Sequence, residues 1–329
     1  MTFMPLNRRT MLSVGAGAAL AALSRPIPVQ AQSRIRMVIV TGGTGGVFYP
    51  YGGGLAKILS EKVPNLQATA QVTGGSVDNA KLLHAGEAEL GFSTLDSTYD
   101  AVQGIGAYEK DGKQDVAVLA VLYDSFLHVV AAKDAGVAKV GDLKDKRVSI
   151  GSAGSSTESI ADRVLAAAGL DPQKDVTRDN LGVAESVGAL KDGKVAAFFW
   201  IGGVPTAAVR DLATTGQPPV TFIPTAAELA EIEKKYPGLY RSFLLKKEAY
   251  AGLPGDIKGL GIANVLIVSS KAEDKLVTTM LDGIFNNLED IHKIHPEARK
   301  LALASAATKT AVPFHPAAEA YYKAKGVLK

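Results

Sequence analysis

The hydrophobic pattern switches between two periods along the chain. Ile35–Val40 is an apolar, β-branched run that ends in a glycine-rich turn. From Gly46 to Val63 the spacing becomes helical, with Leu55, Ile58 and Leu59 on one face and Pro64 as the stop. Leu66–Val72 alternates as a strand, Gly74-Gly75-Ser76 breaks it, and a helix is predicted through Ala80–His84. Leu90–Ser93 reads as a third short strand, followed by a helix from about Asp96. Strands alternating with helices predict an α/β fold, a parallel sheet with helices on its faces.

Val116–Ala131 stays apolar and Val-rich for longer than an ordinary strand, so it is expected to run on between two structural units. A second series then begins with Val148–Ile150, the Gly151–Thr157 loop, and a helix from Ser156 to Ala168 closed by Gly169. Ala184–Leu190 reads as a helix, Val195–Trp200 as a strand, Pro205 to about Leu212 as a helix, and Val220–Ile223 as a strand ended by Pro224. Ile262–Val268 suits a return crossing, and Lys271–Asn287, Ala298–Ala306 and Ala317–Lys325 have helical spacing. Two lobes follow: residues 32–125 with 262–329 as lobe 1, and residues 126–261 as lobe 2. Two crossing segments join them. A cleft is expected between the lobes, lined by strand C-terminal loops and helix N-termini.

Charge and composition narrow the function. Residues 1–31 hold Arg8, Arg9 and Arg25 and no acid; the rest of the chain carries 33 basic and 33 acidic side chains. Such a neutral chain excludes broad electrostatic binding to nucleic acid or to anionic lipid. The absence of cysteine excludes disulfides, thiolate metal sites and cysteine nucleophiles. The first 31 residues combine a polar stretch bearing Arg8-Arg9, an apolar run from Met11 to Leu23, and a small-x-small site at Val29-Gln30-Ala31. That is the form of a cleaved export signal, and Asn7-Arg8-Arg9-Thr10 resembles a twin-arginine signal. The general secretory route remains an alternative. The expected location is the periplasm, with no direct membrane insertion.

Five loops at strand ends could carry chemistry. Thr41-Gly42-Gly43-Thr44-Gly45-Gly46-Val47-Phe48-Tyr49-Pro50 sits where a dinucleotide fingerprint would, but its spacing puts Phe48 where the last glycine is needed, and no Gly-Lys-Ser/Thr triplet follows. It remains a turn with bare amides at a helix N-terminus, suited to an anion. In Thr73-Gly74-Gly75-Ser76-Val77-Asp78-Asn79, Ser76 suits a helix cap as well as a ligand contact, and Asn79 lies one turn on. Ser93-Thr94-Leu95-Asp96 is a hydroxyl-rich strand end where Ser93 or Asp96 serves as either cap or ligand contact. Gly151–Glu158 offers hydroxyls and N–H groups at a helix start, with Ser155 or Ser156 as cap or contact. Phe198-Phe199-Trp200-Ile201-Gly202-Gly203-Val204-Pro205 puts the single tryptophan at a strand end. Neither serine loop has the G-x-S-x-G spacing of a hydrolase elbow, and the five histidines assemble neither a catalytic set nor a metal site.

The glycine run Gly42–Gly46 with Val47-Phe48-Tyr49-Pro50 and Gly52-Gly53-Gly54-Leu55-Ala56 resembles the opening motif of TRAP transporter solute receptors of the TAXI family. The Thr73–Asn79, Gly151–Glu158 and Phe198–Pro205 segments are similar to that family's later motifs and follow in the same order. The resemblance implies a type II periplasmic binding protein fold. It also implies a cleft ligand of the amino-acid or organic-acid class, delivered to TRAP membrane permease subunits driven by an ion gradient. The ligand-facing positions it implies are Gly45, Gly46, Phe48 and Tyr49; Ser76 and Asn79; Ser155, Ser156 and Thr157; and Trp200 and Gly203. Ser93 joins them from the hydroxyl-rich strand end. Where relatives often carry an amide after the third strand, this chain has Ser93-Thr94-Leu95-Asp96, and no loop supplies an arginine. Anion binding then rests on N–H groups, hydroxyls and helix dipoles. The expected function is a monomeric, non-enzymatic receptor for a small carboxylate, such as glutamate or a 2-oxo or dicarboxylic acid, with no cofactor. The alternatives are an exported hydrolase or cofactor enzyme, or a sensory receptor of the same fold.

Overall fold

The computed structural model describes residues 34–328, so the export signal expected over residues 1–31 lies outside the described residues. Strands β1 (Ile35–Val40), β2 (Leu66–Gln71) and β3 (Leu90–Thr94) pair in parallel, with β1 between the other two. Helices α1 (Phe48–Lys62), α2 (Ser76–Ala85) and α3 (Leu95–Gln103) follow these strands in turn. Apolar spacing decides the buried face of α1, which puts Leu55, Ile58 and Leu59 into the core.

Strand β4 (Val116–Ala132) is 17 residues long and nearly all buried. The second parallel set is β5 (Arg147–Ser149), β6 (Thr177–Asp179) and β7 (Ala197–Gly202), with β5 in the middle. Helices α4 (Ser156–Ala167), α5 (Val183–Lys191) and α6 (Ala207–Thr215) follow them. Next come β8 (Val220–Phe222), α7 (Ala226–Lys235), β9 (Tyr240–Leu245) and the 13-residue β10 (Ile257–Ser269). The chain closes with α8 (Asp274–Phe285), two short helical turns α9 (Leu288–Ile291) and α10 (Leu303–Ala306), and α11 (Pro316–Ala324). No described helix is long and apolar enough to cross a membrane.

All ten strands join one sheet, ordered β2-β1-β3-β10-β4-β7-β5-β6, with β8 on β4 and β9 on β10. Strand direction makes the site. Strand β10 is antiparallel to both β3 and β4, and β7 is antiparallel to β4, so the two parallel sets run toward each other. Thr94, the last residue of β3, sits opposite Asn264, whose neighbour Ala263 pairs with Asp124. Gly202, the last residue of β7, pairs with Phe126. Both sets of strand C-termini therefore meet at the middle of β4. Loops and helix N-termini converge there because every parallel strand is followed by a helix.

Several elements depart from the pattern expected of the sequence. Ala298–Ala306 is not one helix but a 3₁₀ turn over Pro296–Lys300 and the short α10. Strand β10 starts at Ile257 rather than Ile262, because Gly259 and Gly261 interrupt the apolar run where Phe126 and Phe243 press on the backbone. Strand β9 is buried only at its ends, so no alternation marks it.

Candidate functional site

A cavity of about 210 Å³ lies where the strand ends meet. From the first half of the sheet, Gly45, Gly46, Phe48 and Ser76 line it. From the second come Ser155, Ser156, Thr157 and Trp200. The N-termini of α1, α2, α4 and α5 all open onto this space. The residues preceding α1, α2 and α5 are Val47, Gly75 and Gly182, and none makes a side-chain cap. The first-turn N–H groups of a helix have no partner within the helix, and together they carry about half a positive charge. Only α4 has a side-chain cap: Ser155 Oγ accepts from the Glu158 N–H at 3.3 Å and donates to the Ser152 carbonyl at 2.6 Å.

The halves touch across the cavity. Ser76 is the first residue of α2 rather than its cap; its hydroxyl accepts the Thr94 N–H at 3.1 Å and lies 3.4 Å from the hydroxyl of Ser156. The Gly154 carbonyl accepts N–H groups from Val77 and Asp78 at 3.1 and 3.2 Å. Gly46 sits under the Trp200 ring, where an added Cβ would lie 2.9 Å from the indole. Trp200 is held from behind. Its Nε1 donates to Thr206 Oγ1 at 2.9 Å, and its carbonyl lies 3.2 Å from His128 Nδ1. The Trp200 carbonyl can only accept, so Nδ1 carries the ring proton and Nε2 accepts from the Tyr250 hydroxyl at 2.8 Å, which in turn accepts the Thr206 N–H. Burial pushes His128 down to about 4, which keeps the ring neutral and the network intact at ordinary pH.

Four expected site residues lie elsewhere. Tyr49 follows Phe48 in the first turn of α1, and the helical rotation of about 100° per residue turns it outward, leaving it 36% exposed. Ser93 is fully buried on the face of β3 opposite Thr94; it accepts from Thr98 Oγ1 at 2.9 Å and donates to the Thr94 carbonyl at 3.1 Å. Asn79 is a structural clamp. Its Nδ2 donates to the carbonyls of Thr41 and Phe92 at 2.6 and 2.7 Å, and its Oδ1 accepts from Thr73 Oγ1 at 2.7 Å. Gly203 packs against Glu297, whose carboxylate accepts the Val204 N–H at 3.0 Å, and its neighbour Gly202 faces the cavity instead.

Residues from the crossing strands complete the floor: Tyr123, Ser125 and Asn264, beside Thr94. No lysine, arginine or histidine lines the cavity. Its one carboxylate, Glu185, is exposed in the first turn of α5. Positive potential therefore comes from helix ends alone.

Comparison with known families then decides membership, since the model of the NMT1-like family matches residues 39–326. The chain belongs to the NMT1-like family. Among solved structures, this NMT1-like chain is similar to a binding protein component of an ABC phosphonate transporter from Pseudomonas aeruginosa. The identity is 11% over 80% of this chain and 79% of that one, with a TM-score of 0.56. It is also similar to a protein of Bordetella bronchiseptica RB50, at 18% identity over 90% of each chain and a TM-score of 0.54. The NMT1-like chain thus has the α/β fold of solute-binding proteins.

Proposed function

We propose that the protein is an exported, periplasmic solute receptor that closes two lobes around a small carboxylate and passes it, unaltered, to a membrane permease. The lobes are residues 32–125 with 262–329 and residues 126–261, and β4 and β10 cross between them. One observation carries this reading: four helix N-termini meet at one cavity that holds no cationic side chain, those of α1 and α5 without a side-chain cap, while the Gly154 carbonyl already accepts the Val77 and Asp78 N–H groups of α2. N–H groups fixed by the fold stabilise an anion without reorganising. The carboxylate binds between α1, α2, α4 and α5, and Phe48 and Trp200 cover its apolar part. Bonds from both halves favour the closed state, which is how a ligand drives hinge closure.

The likeness to a transporter's binding component supports the receptor role. The TAXI-like order of the glycine and serine loops supports a TRAP permease as the partner. Thermal melting of the purified protein with small carboxylates checks the reading. An acid present at a hundred times its dissociation constant adds about 2.7 kcal/mol of stability. A rise in Tm with at least one such acid is expected, and no shift with any of them would refute a carboxylate receptor.

A further inference from the structure

The floor of the cavity is polar in a way that the helix ends do not require. Tyr123 and Ser125 are two residues apart on β4, and both line the cavity. Asn264 on β10 lies beside them, and Thr94 sits opposite Asn264 on β3. Asn264 uses both Nδ2 protons inward, donating to Ser125 Oγ at 2.8 Å and to the Tyr123 carbonyl at 3.0 Å. What is left over lines the cavity. Among the described residues, nothing donates to Asn264 Oδ1, nothing accepts the Ser125 hydroxyl proton, and the Tyr123 phenol has no partner. Tyr123 is only 4% exposed and Asn264 only 1%, and what they show to solvent lines the cavity. Burial pushes the Tyr123 phenol well above its ordinary range, so it stays a donor.

We propose that Tyr123, Ser125 and Asn264 read a second, uncharged polar group of the ligand close to its carboxylate, making hydroxy and oxo acids, rather than amino acids, the ligand class. This rests on the carboxylate reading of the cavity. The position follows from strand spacing: the Ser76 hydroxyl bonds the Thr94 N–H, and Thr94 is one strand, about 4.8 Å, from Asn264. An oxo oxygen accepts from the Tyr123 and Ser125 hydroxyls; a hydroxyl also donates to Asn264 Oδ1. An ammonium can donate to Asn264 Oδ1 but cannot accept from the Tyr123 and Ser125 hydroxyls. It would bring a positive charge among helix N-termini, and the one lining carboxylate, Glu185, is exposed to solvent and faces its own helix end at Gly182.

Calorimetric titration with matched acids of three to five carbons tests this. The probes are unsubstituted, 2-hydroxy, 3-hydroxy, 2-oxo and 2-amino acids. The best hydroxy or oxo acid is expected to bind at least tenfold tighter than both the unsubstituted and the amino acid of its length. In Tyr123→Phe, and separately in Ser125→Ala, that advantage should fall to less than threefold, the hydroxy or oxo acid losing more affinity than the unsubstituted acid. An amino acid that binds as tightly as its oxo counterpart overturns the proposal, and so does an equal loss for every probe in both variants. If no probe binds the parent protein at all, the carboxylate reading itself fails, a result separate from the other two.

Discussion

Replacing Arg163 with methionine is expected to destabilise the protein by about 3–5 kcal/mol, the cost of stranding a buried charge. Arg163 lies on α4 and is 10% exposed, and its two carboxylate partners on α3, Asp96 and Asp100, are 0% and 3% exposed. Its guanidinium bonds the Asp100 carboxylate, lies 3.5 Å from Asp96 Oδ2, and donates to the Tyr240 hydroxyl at 2.5 Å. Tyr240 in turn donates to Asp96 Oδ2 at 2.7 Å, and the Tyr236 ring stacks 4.0 Å from the guanidinium. Without the arginine, Asp96 loses its buried cation and Asp100 loses a charged hydrogen-bond donor. A fall in Tm of about 10 °C follows for a chain of this size. Adding Asp96→Asn and Asp100→Asn to the variant should restore most of it. A melt of Arg163→Met within about 2 °C of the parent would show that the cluster holds nothing together.

The same cluster sets a pH dependence. Burial pushes Asp100 up from the ordinary 3.8 to about 7, a rise that Arg163 opposes and Asp96 assists. Between those two values native Asp100 keeps a proton that the unfolded chain gives up, so the folded state binds more protons. Its contribution to stability is therefore complete below about pH 4, declines as pH rises, and levels off above about pH 7. Asp100→Asn should remove that slope from the parent's Tm profile.

Gly75→Ala is expected to cost ligand affinity about a hundredfold. Gly75 has φ 136° and ψ −147°, a region that only glycine occupies readily, at a cost of about 1–3 kcal/mol for other residues. An added Cβ would also lie 3.3 Å from Ser155 Cα, on the opposite side of the seam. The strain and the contact act together where α2 meets Gly154, so the closed arrangement suffers most. Gly53→Ala on α1 is the control. Its Cβ meets nothing within 4 Å, and alanine in a helix interior is favoured over glycine by about 1 kcal/mol. That variant should bind like the parent and melt slightly higher. Parent-like affinity in Gly75→Ala would contradict closure at this seam.

Much of this fold is legible in the sequence because its strands and helices differ in period. The glycine and hydroxyl loops stand out because each interrupts an apolar run just before a helical one. Parity is harder to read. A strand turns Thr94 toward the cavity and Ser93 away, and a helix turns Phe48 in and Tyr49 out, while both members of each pair look alike as letters. Asn79 looked like a ligand contact, yet three strand-end groups use up its amide. Tyr123, Ser125 and Asn264 were hidden inside runs that read as crossing strands. The signal for them was polarity within an apolar stretch, and it gains meaning only once β3 and β7 are known to point at one another. The Asp96–Arg163 pair spans 67 residues, and no local pattern marks it.

Titration calorimetry of the tightest-binding acid against its own primary amide tests the central claim most directly. The two share size and shape, but only the acid carries the charge that the helix N-termini would stabilise. The acid is expected to bind about a hundredfold more tightly, with the difference kept in moderate salt because the site is buried. An amide that binds as well as the acid would contradict an anion site built from helix ends.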